Sequence, residues 1–261
     1  MRTLVIGIDS GTQSTKALVL DVEKRKVIGT GTSKYGLIPG LPPGAKEQHP
    51  DTWRTAVIKA VKQAVRAAKA KPAEIKALGV SGQQHGFVAL DKNGQVIRPA
   101  KLWCDTVTAP ECEEIMEAIG GFDATIAALG NPVLPGYTAS KILWLKKHEP
   151  DNYARLATVL LPHDFINWWL TGRAVMEYGD ASGTALLDVR TKQWCQTAIN
   201  AIDPHLADKL PPLIPSDQPV GTLQPAAAKA LGLTREVLVS AGGGDNMMAA
   251  IGTGNTRPGV V

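Results

Sequence analysis

The chain has 261 residues, of which 44% are hydrophobic and 20% charged, and its formal net charge is +4. This composition is typical of a globular protein and excludes a collagen-like or low-complexity chain. Lys and Arg residues are spread along the sequence, so we expect no nucleic-acid partner. The three cysteines have no Cys-x-x-Cys spacing and no apolar run is long enough to cross a bilayer, so we expect a cytoplasmic protein without a membrane partner.

The first part of the chain predicts an antiparallel meander of strands and then a helix. Short apolar or alternating runs predict strands over Leu4–Ile8, Lys16–Asp21 and Lys26–Ser33, joined by tight turns. Pro50 and Asp51 predict the start and the cap of a helix, because apolar residues then recur at helical spacing as far as residue 68.

The remaining elements predict an α/β domain with a mixed sheet. They follow in the order strand, three helices, strand and helix: Ile75–Val80, Pro110–Ala118, Ala139–His148, His163–Thr171, Val237–Ser240 and Asp245–Ile251. Strands that alternate with helices after a hairpin meander favour a sheet with both parallel and antiparallel pairs. We interpret residues Lys101 to about Thr222 as helical and loop insertions on this domain.

The first candidate site is the turn after the first strand. Asp9 ends that strand, and Gly11, Thr12, Gln13 and Ser14 follow it. Backbone N–H groups and hydroxyls in such a turn suit phosphate oxygens, and the carboxylate suits a hydrated Mg²⁺ ion. The turn lacks the Walker spacing of glycine, lysine and serine or threonine. A plain hairpin turn without a ligand remains the alternative.

The second candidate site lies near the end of the chain, where three glycines, Gly242–Gly244, precede Asp245 and Asn246. Glycines allow a sharp turn and leave open space beside the next side chains. Asp245 is then either the N-cap of the following helix or a general base within reach of a substrate hydroxyl, and the spacing alone does not distinguish these roles.

The third candidate site follows the strand over Ile75–Val80 and contains Gln84 and His85 between glycines. Amide and imidazole groups at the carboxyl end of a strand supply donors and acceptors that suit a polyol. The alternative is that His85 is a surface loop histidine. The other four histidines have no comparable setting and are interpreted as structural.

Taken together and in order, these segments resemble the FGGY carbohydrate kinases of the sugar kinase, Hsp70 and actin superfamily. The matching segments are Gly7–Thr12, Glu47–Pro50, Gly79–Gly86, Leu102–Asp105, Gly136–Leu145 and Gly242–Asn246. They extend over almost the whole chain. Each match alone is weak evidence, but the ordered set is strong.

The resemblance implies a ribonuclease-H-like fold and ATP-dependent phosphorylation of a sugar. It makes Asp245 the base and Asp9 the residue that orients Mg²⁺, with the Gly11–Ser14 turn near the ATP phosphates. The sugar ligands that the resemblance implies are Gln84, His85, Trp103, Asp105, Asp245 and Asn246. Relatives continue into a C-terminal nucleotide-binding domain, so residues 1–261 are interpreted as the N-terminal sugar-binding domain, and Gly252–Val261 as a severed connection. A homodimer stays open.

Two residues of the third site bear on the choice of sugar. Gln84 and His85 fall where xylulokinases usually carry Met-His and where glycerol kinases carry Arg-Glu, which favours D-xylulose, phosphorylated at its 5-hydroxyl. Gln84 departs from the usual Met, and Val107 stands where many relatives carry Arg. The alternatives are a kinase for ribulose, gluconate or glycerol, and a non-catalytic sugar-binding module.

Overall fold

The structure is a computed structural model that describes residues 2–257 and 259. The strands in chain order are β1 (Leu4–Ser10), β2 (Ser14–Asp21), β3 (Lys26–Lys34), β4 (Glu47–Gln48), β5 (Ile75–Gly82), β6 (Val88–Leu90), β7 (Ala100–Lys101), β8 (Thr158–Leu160), β9 (Met176–Glu177), β10 (Leu187–Asp188), β11 (Gln193–Trp194), β12 (Leu213–Ile214), β13 (Pro219–Thr222), β14 (Leu238–Ser240) and β15 (Gly243–Gly244). Of the predicted connection Gly252–Val261, residues 258, 260 and 261 lie outside the described residues.

The α-helices in chain order are α1 (Pro50–Ala67), α2 (Ala109–Ile119), α3 (Phe122–Leu129), α4 (Thr138–His148), α5 (Pro150–Arg155), α6 (Pro162–Thr171), α7 (Tyr178–Ala181), α8 (Gln196–Asn200), α9 (Pro225–Leu231) and α10 (Asp245–Gly252). Short 3₁₀ helices cover Pro72–Glu74, Ser182–Thr184 and Pro204–Lys209. Within the part of the chain that the structure describes, no helix has both the length and the apolar character needed to cross a membrane.

The main sheet has the strand order β13-β14-β5-β1-β2-β3, and β15 pairs with the end of β5. The pairs β1–β2 and β2–β3 are antiparallel, which confirms the predicted meander. The pairs of β5 with β1, β14 and β15 are parallel. The sheet is therefore mixed, as predicted, and its parallel strands β1, β5 and β15 end at one edge.

One face of the main sheet carries the larger hydrophobic core. Alternate residues of β1 (Leu4, Ile6 and Ile8) are buried on this face, as expected for a strand with period-two alternation. Helix α1 packs its apolar stripe, which includes Trp53 and Val57, against the same cluster. The predicted cap of α1 is shifted, because the side chain of His49, and not that of Asp51, accepts a hydrogen bond from a first-turn backbone N–H.

A second hydrophobic cluster lies among α2, α3, α4 and α8 and packs on β6 and β8. This part agrees with the predicted insertion, but the prediction for Lys101 to about Thr222 is wrong in two places. Helix α6 contributes Phe165 and Leu170 to the larger core, and β13 extends the main sheet through β14. Both belong to the domain itself because their apolar residues cover its sheet.

Candidate active site

Asp9 and Asp245 lie at the same edge of the main sheet. In the register of β1, β5 and β15, Asp9 is opposite Ser81 and Ser81 is opposite Gly243, two residues before Asp245. Neighbouring strands are about 4.8 Å apart, so two spacings separate the backbone at Asp9 from that at Gly243 by about 10 Å. The two acidic residues, 236 positions apart in sequence (245 − 9), are therefore neighbours in the fold.

Asp245 is the first residue of α10, after the cap residue Gly244. It is therefore not the N-cap that one interpretation of the sequence proposed. Its Oδ1 accepts a hydrogen bond from the backbone N of Asn246 at 2.9 Å. Partial burial raises the pKa of Asp245, and the negative charges of Asp180 and Asp9 raise it further. The carboxyl group is thus poised to accept a proton more readily than an exposed aspartate.

The turn that leads to Asp245 depends on a close backbone approach. Gly242 has a φ of +68°, and a Cβ atom placed on it would lie 2.0 Å from the carbonyl oxygen of Val80. The side chain of Asn167, from α6, donates a hydrogen bond to the carbonyl oxygen of Ala241 at 2.7 Å. These contacts fix the path between β14 and β15, and so the position at which α10 begins.

The turn after β1 is held by hydrogen bonds to several side chains, among them one from the Tyr35 hydroxyl to the carbonyl oxygen of Gly11 at 2.6 Å. Gly11 N donates to Ser14 O at 3.1 Å, and Gln48 donates from Nε2 to the carbonyl oxygen of Thr12 at 2.6 Å. The indole N–H of Trp103 donates to the Thr12 hydroxyl at 3.1 Å. A cavity of about 490 Å³ opens beside this turn, lined among others by Asp9, Gly11, Thr12, Gln13, Ser14, Lys46 and Trp103.

Asp9 is half exposed and lies 3.6 Å from the ammonium group of Lys16. It lines the cavity beside the turn and also a larger one, of about 660 Å³, along the open face of the sheet. Among the described residues no cluster of three or more His, Cys, Asp or Glu side chains could enclose a metal ion. One carboxylate at an open cavity does fit Mg²⁺, which proteins usually hold through one or two carboxylates, waters and ligand phosphates.

Gln84 forms part of a chain of hydrogen bonds between two helices. Its Nε2 faces Asp180 Oδ1 of α7 at 3.5 Å, and its Oε1 accepts a hydrogen bond from Nδ2 of Asn246 at 3.0 Å. Gln84 and Asn246, which lie 162 residues apart in sequence, therefore contact each other in the fold. Both amides border Asp245, and amides in this position can bind hydroxyl groups.

His85 is held in an unusual backbone conformation. Its φ of +61° lies in the left-handed region, which is uncommon for residues other than glycine. Thr138 Oγ1 and Lys141 Nζ both donate to its carbonyl oxygen, at 3.2 and 2.7 Å. Its ring lies 4.7 Å from that of Tyr137. Burial lowers the pKa of His85, so the neutral ring can both donate and accept hydrogen bonds.

Lys141 lies in the segment Gly136–Leu145, which matches the FGGY family, but the sequence alone indicates no role for it. It is fully buried, and burial lowers the pKa of its amine to about 7. Its Nζ donates to the carbonyl oxygens of His85 and Gly136. Lys141 therefore ties the loop that carries His85 to the loop that precedes α4.

The structure corrects the prediction that Asp105 binds substrate. Asp105 is fully buried, and its carboxylate accepts hydrogen bonds from the backbone N of Lys46 at 2.9 Å and from Nζ of Lys101 at 3.3 Å. A carboxylate enclosed by protein donors in this way cannot reach a ligand. Trp103, in contrast, is half exposed and lines the cavity beside the Thr12 turn.

Sequence reasoning missed a buried pair beneath Gln84. His163, which was interpreted as merely structural, is fully buried and its Nδ1 lies 2.8 Å from Oδ2 of Asp180. A lone histidine after a strand and a lone aspartate in a short helix give no periodic signal. Only the packing of α6 against α7 brings these two residues together.

The domain model for the FGGY family of carbohydrate kinases, N-terminal domain, matches residues 4–252. The chain belongs to the FGGY family of carbohydrate kinases. It is 44% identical over 263 residues to a xylulose kinase of Haemophilus influenzae, a match that covers 98% of this chain and 53% of that protein. The curated relatives thus confirm the resemblance to xylulokinases, and the chain spans about half of their length.

Solved structures of a xylulose kinase and a gluconate kinase share the fold. The crystal structure of xylulose kinase from Rhodospirillum rubrum matches with a TM-score of 0.90 and 27% identity, over 98% of this chain and 52% of that one. A gluconate kinase from Lactobacillus acidophilus matches with a TM-score of 0.88 and 22% identity, over 97% of this chain and 50% of that one, which supports the fold alone. The predicted ribonuclease-H-like α/β fold of the sugar kinase, Hsp70 and actin superfamily is confirmed.

Proposed function

We propose that this chain is the sugar-binding half of an ATP-dependent kinase that phosphorylates D-xylulose at its 5-hydroxyl. The observation that carries the proposal is the position of Asp9 and Asp245 at one sheet edge, with the amides of Gln84 and Asn246 beside them. A sugar-binding module without catalysis would need neither acidic residue there. The xylulose kinases to which the chain is similar support the choice of sugar.

In the proposed reaction Asp245 is the general base. The oxygen of the sugar hydroxyl forms a bond to the γ-phosphorus, the bond from that phosphorus to the β-phosphate oxygen breaks, ADP leaves, and the hydroxyl proton passes to Asp245. The raised pKa of Asp245 suits this task, because a base works best when its pKa lies near the operating pH. Phosphoryl transfer otherwise depends mainly on positioning and charge neutralisation.

Asp9 and the turn after β1 would bind Mg²⁺ and the phosphates of the nucleotide. Mg²⁺–ATP supplies the phosphoryl group and neutralises its charge when bound. Asp9 would hold the ion directly or through water, and the backbone and hydroxyl groups of Gly11–Ser14 would approach the phosphates. Lys16, 3.6 Å from Asp9, balances the negative charge of that carboxylate.

The sugar would lie between the loop after β5 and the start of α10. Gln84, His85 and Asn246 would bind its hydroxyls, and Trp103 would cover it from the side of the Thr12 turn. Asp105 would not contact the sugar. It would act only indirectly, because its carboxylate holds Lys101 and the backbone of Lys46 in place. The nucleotide site would be completed by a second domain, as the greater length of the relatives suggests.

A substrate panel tests the proposal on the complete reading frame that contains residues 1–261. ADP release would be measured with D-xylulose, D-ribulose, D-gluconate and glycerol, each with and without Mg²⁺. We expect kcat/KM to be highest for D-xylulose and to require the metal ion. A higher kcat/KM for another polyol would change the proposed substrate but not the proposed reaction. No ADP release with any of the four would reject the proposal that the protein is a kinase.

A further inference from the structure

A row of hydrogen-bonded polar side chains leads from the core to the candidate sugar site. Its inner members are buried, whereas Asn246 at its outer end is exposed. From the core outward it contains His163, Asp180, Gln84 and Asn246, and it ends beside Asp245. His163 and Asp180 are fully buried, while Gln84 is 8% exposed. The inner pair therefore cannot reach a ligand, but each member of the row contacts the next one outward.

The backbone and the side chain of Asp180 are both fixed by neighbours. Glu177 accepts hydrogen bonds from the backbone N–H groups of Gly179 and Asp180, and so caps the short helix α7. His163 holds one carboxylate oxygen of Asp180 at 2.8 Å. Although burial opposes it, the carboxylates of Asp164 and Asp180 raise the pKa of His163 to about 9. His163 is therefore protonated at neutral pH and presents an N–H to Asp180.

This arrangement determines which group donates and which accepts in each hydrogen bond of the row. An ionised carboxylate only accepts hydrogen bonds, so Gln84 must turn its amide nitrogen toward Asp180. Its carbonyl oxygen then faces Asn246, so Asn246 must donate a hydrogen bond from its own amide nitrogen. Asn246 thereby keeps its carbonyl oxygen as an acceptor for a ligand hydroxyl. The side chain of Gln84 is also confined, since a Cβ atom on Gly244 would lie 2.6 Å from its Cγ and Nε2 atoms.

We propose that Asp180 is a positioning residue that sets the orientation of the Gln84 and Asn246 amides and thereby decides which of their donors and acceptors meet the sugar. The inference rests on the proposed function. It assigns Asp180 no contact with substrate and no proton transfer. Its effect on sugar binding passes through the two amides and must appear in the sugar KM. This effect is separate from that of its charge on the pKa of Asp245.

Asp180→Asn replaces the carboxylate by an amide of nearly the same shape. It should exchange donor and acceptor along the row. His163 still requires an acceptor, so the new asparagine would use its carbonyl oxygen there and turn its NH₂ group toward Gln84. Gln84 and then Asn246 would have to turn over, and one hydrogen bond to the sugar would be lost. We expect the sugar KM to rise about tenfold, the effect of one hydrogen bond, while kcat changes by less than about threefold.

The matched control is Asp164→Asn. Asp164 lies on the other side of His163, with its Oδ1 3.1 Å from His163 Nε2, and it is also buried. The control makes the same change from aspartate to asparagine on the same histidine but does not touch Gln84. We expect its sugar KM to stay within about twofold of wild type. An equal rise in KM for both variants would overturn the proposal, because it would show an effect that does not pass through Gln84.

A reciprocal rescue provides the decisive test. Gln84→Glu alone sets two carboxylates against each other and should also raise the sugar KM. In the double variant with Asp180→Asn, the asparagine donates to the carboxylate introduced at position 84, and that carboxylate accepts from Asn246. The hydrogen bond between positions 180 and 84 is then reversed, but the original orientation of Asn246 and the total charge return. We expect the double variant to bind the sugar more tightly than either single variant.

A double variant no better than Gln84→Glu would overturn the proposal, and this comparison stands even where Asp180→Asn fails to fold. Circular dichroism of each variant checks folding. Wild-type activity is measured first. No activity toward any sugar would reject the proposed function, whereas full wild-type activity without the rescue would reject only the role of Asp180.

Discussion

Replacing Gly242 by alanine should displace Asp245 and destabilise the domain. Gly242 has a φ of +68°, where an alanine costs about 1 kcal/mol. The new Cβ would lie 2.0 Å from the backbone oxygen of Val80, closer than a Cβ can approach. To relieve this clash, β15 must move away from β5. This movement weakens about two backbone hydrogen bonds, each worth about 1 kcal/mol. The free energy of unfolding should therefore fall by about 3 kcal/mol.

Gly232→Ala is the matched control for this prediction. Gly232 has a φ of +71°, and a Cβ atom placed on it would have no neighbour within 4 Å. Its substitution should cost only the backbone strain, about 1 kcal/mol. Urea unfolding followed by circular dichroism measures both variants. A difference of less than about 0.5 kcal/mol between them would refute the steric argument, given the usual scatter of such measurements.

The same substitution has a consequence for turnover. A shift of roughly 1 Å at the start of α10 would carry Asp245 away from the sugar hydroxyl and should lower kcat about a hundredfold. Gly232→Ala should leave kcat unchanged, because a Cβ atom there meets no neighbour within 4 Å and Gly232 lines neither of the two cavities beside Asp9. A Gly242→Ala protein with normal kcat would show that Asp245 does not depend on this turn.

Individual contacts lead to three further predictions. Lys141→Met removes the side-chain donor of the Gly136 carbonyl oxygen and leaves the His85 carbonyl oxygen with Thr138 alone, so it should lower the free energy of unfolding by about 2 kcal/mol, measured by urea unfolding; an unchanged value would contradict this. Asp180→Asn should move the acidic limb of the pH profile of kcat/KM to lower pH, because the charge of Asp180 raises the pKa of Asp245. The hydrogen bond from Arg2 lowers the pKa of Glu74 to about 2. Stability from this pair should be present above the ordinary glutamate pKa and lost as the pH falls toward 2, so thermal unfolding of Glu74→Gln should match wild type only at the acidic end.

The strands that build the site were predictable because their signals are local. The apolar runs of β1 and β5 stand out in the sequence, and the carboxyl ends of parallel strands meet at one edge. The resemblance to the FGGY family then linked Asp9 with Asp245. Short helices such as α3 and α9 were missed, since eight or fewer residues give little periodicity.

The parts of the site that depend on side-chain direction could not be predicted. Asp105 lies within a matching segment, yet Lys101 and a backbone N–H turn its carboxylate inward. His163 and Asp180 lie on different helices, and their contact exists only after α6 and α7 have packed on the sheet. A sequence segment identifies residue types, but the partners that orient them come from tertiary packing.

The central claim is that Asp245 accepts the proton of the sugar hydroxyl. The most direct measurement is kcat at saturating D-xylulose and Mg²⁺–ATP for wild type and Asp245→Ala in the complete protein, with circular dichroism as the folding check. We predict that the variant remains folded and loses about a thousandfold or more in kcat, as expected for a missing general base. Turnover within about tenfold of wild type in a folded variant would contradict the account.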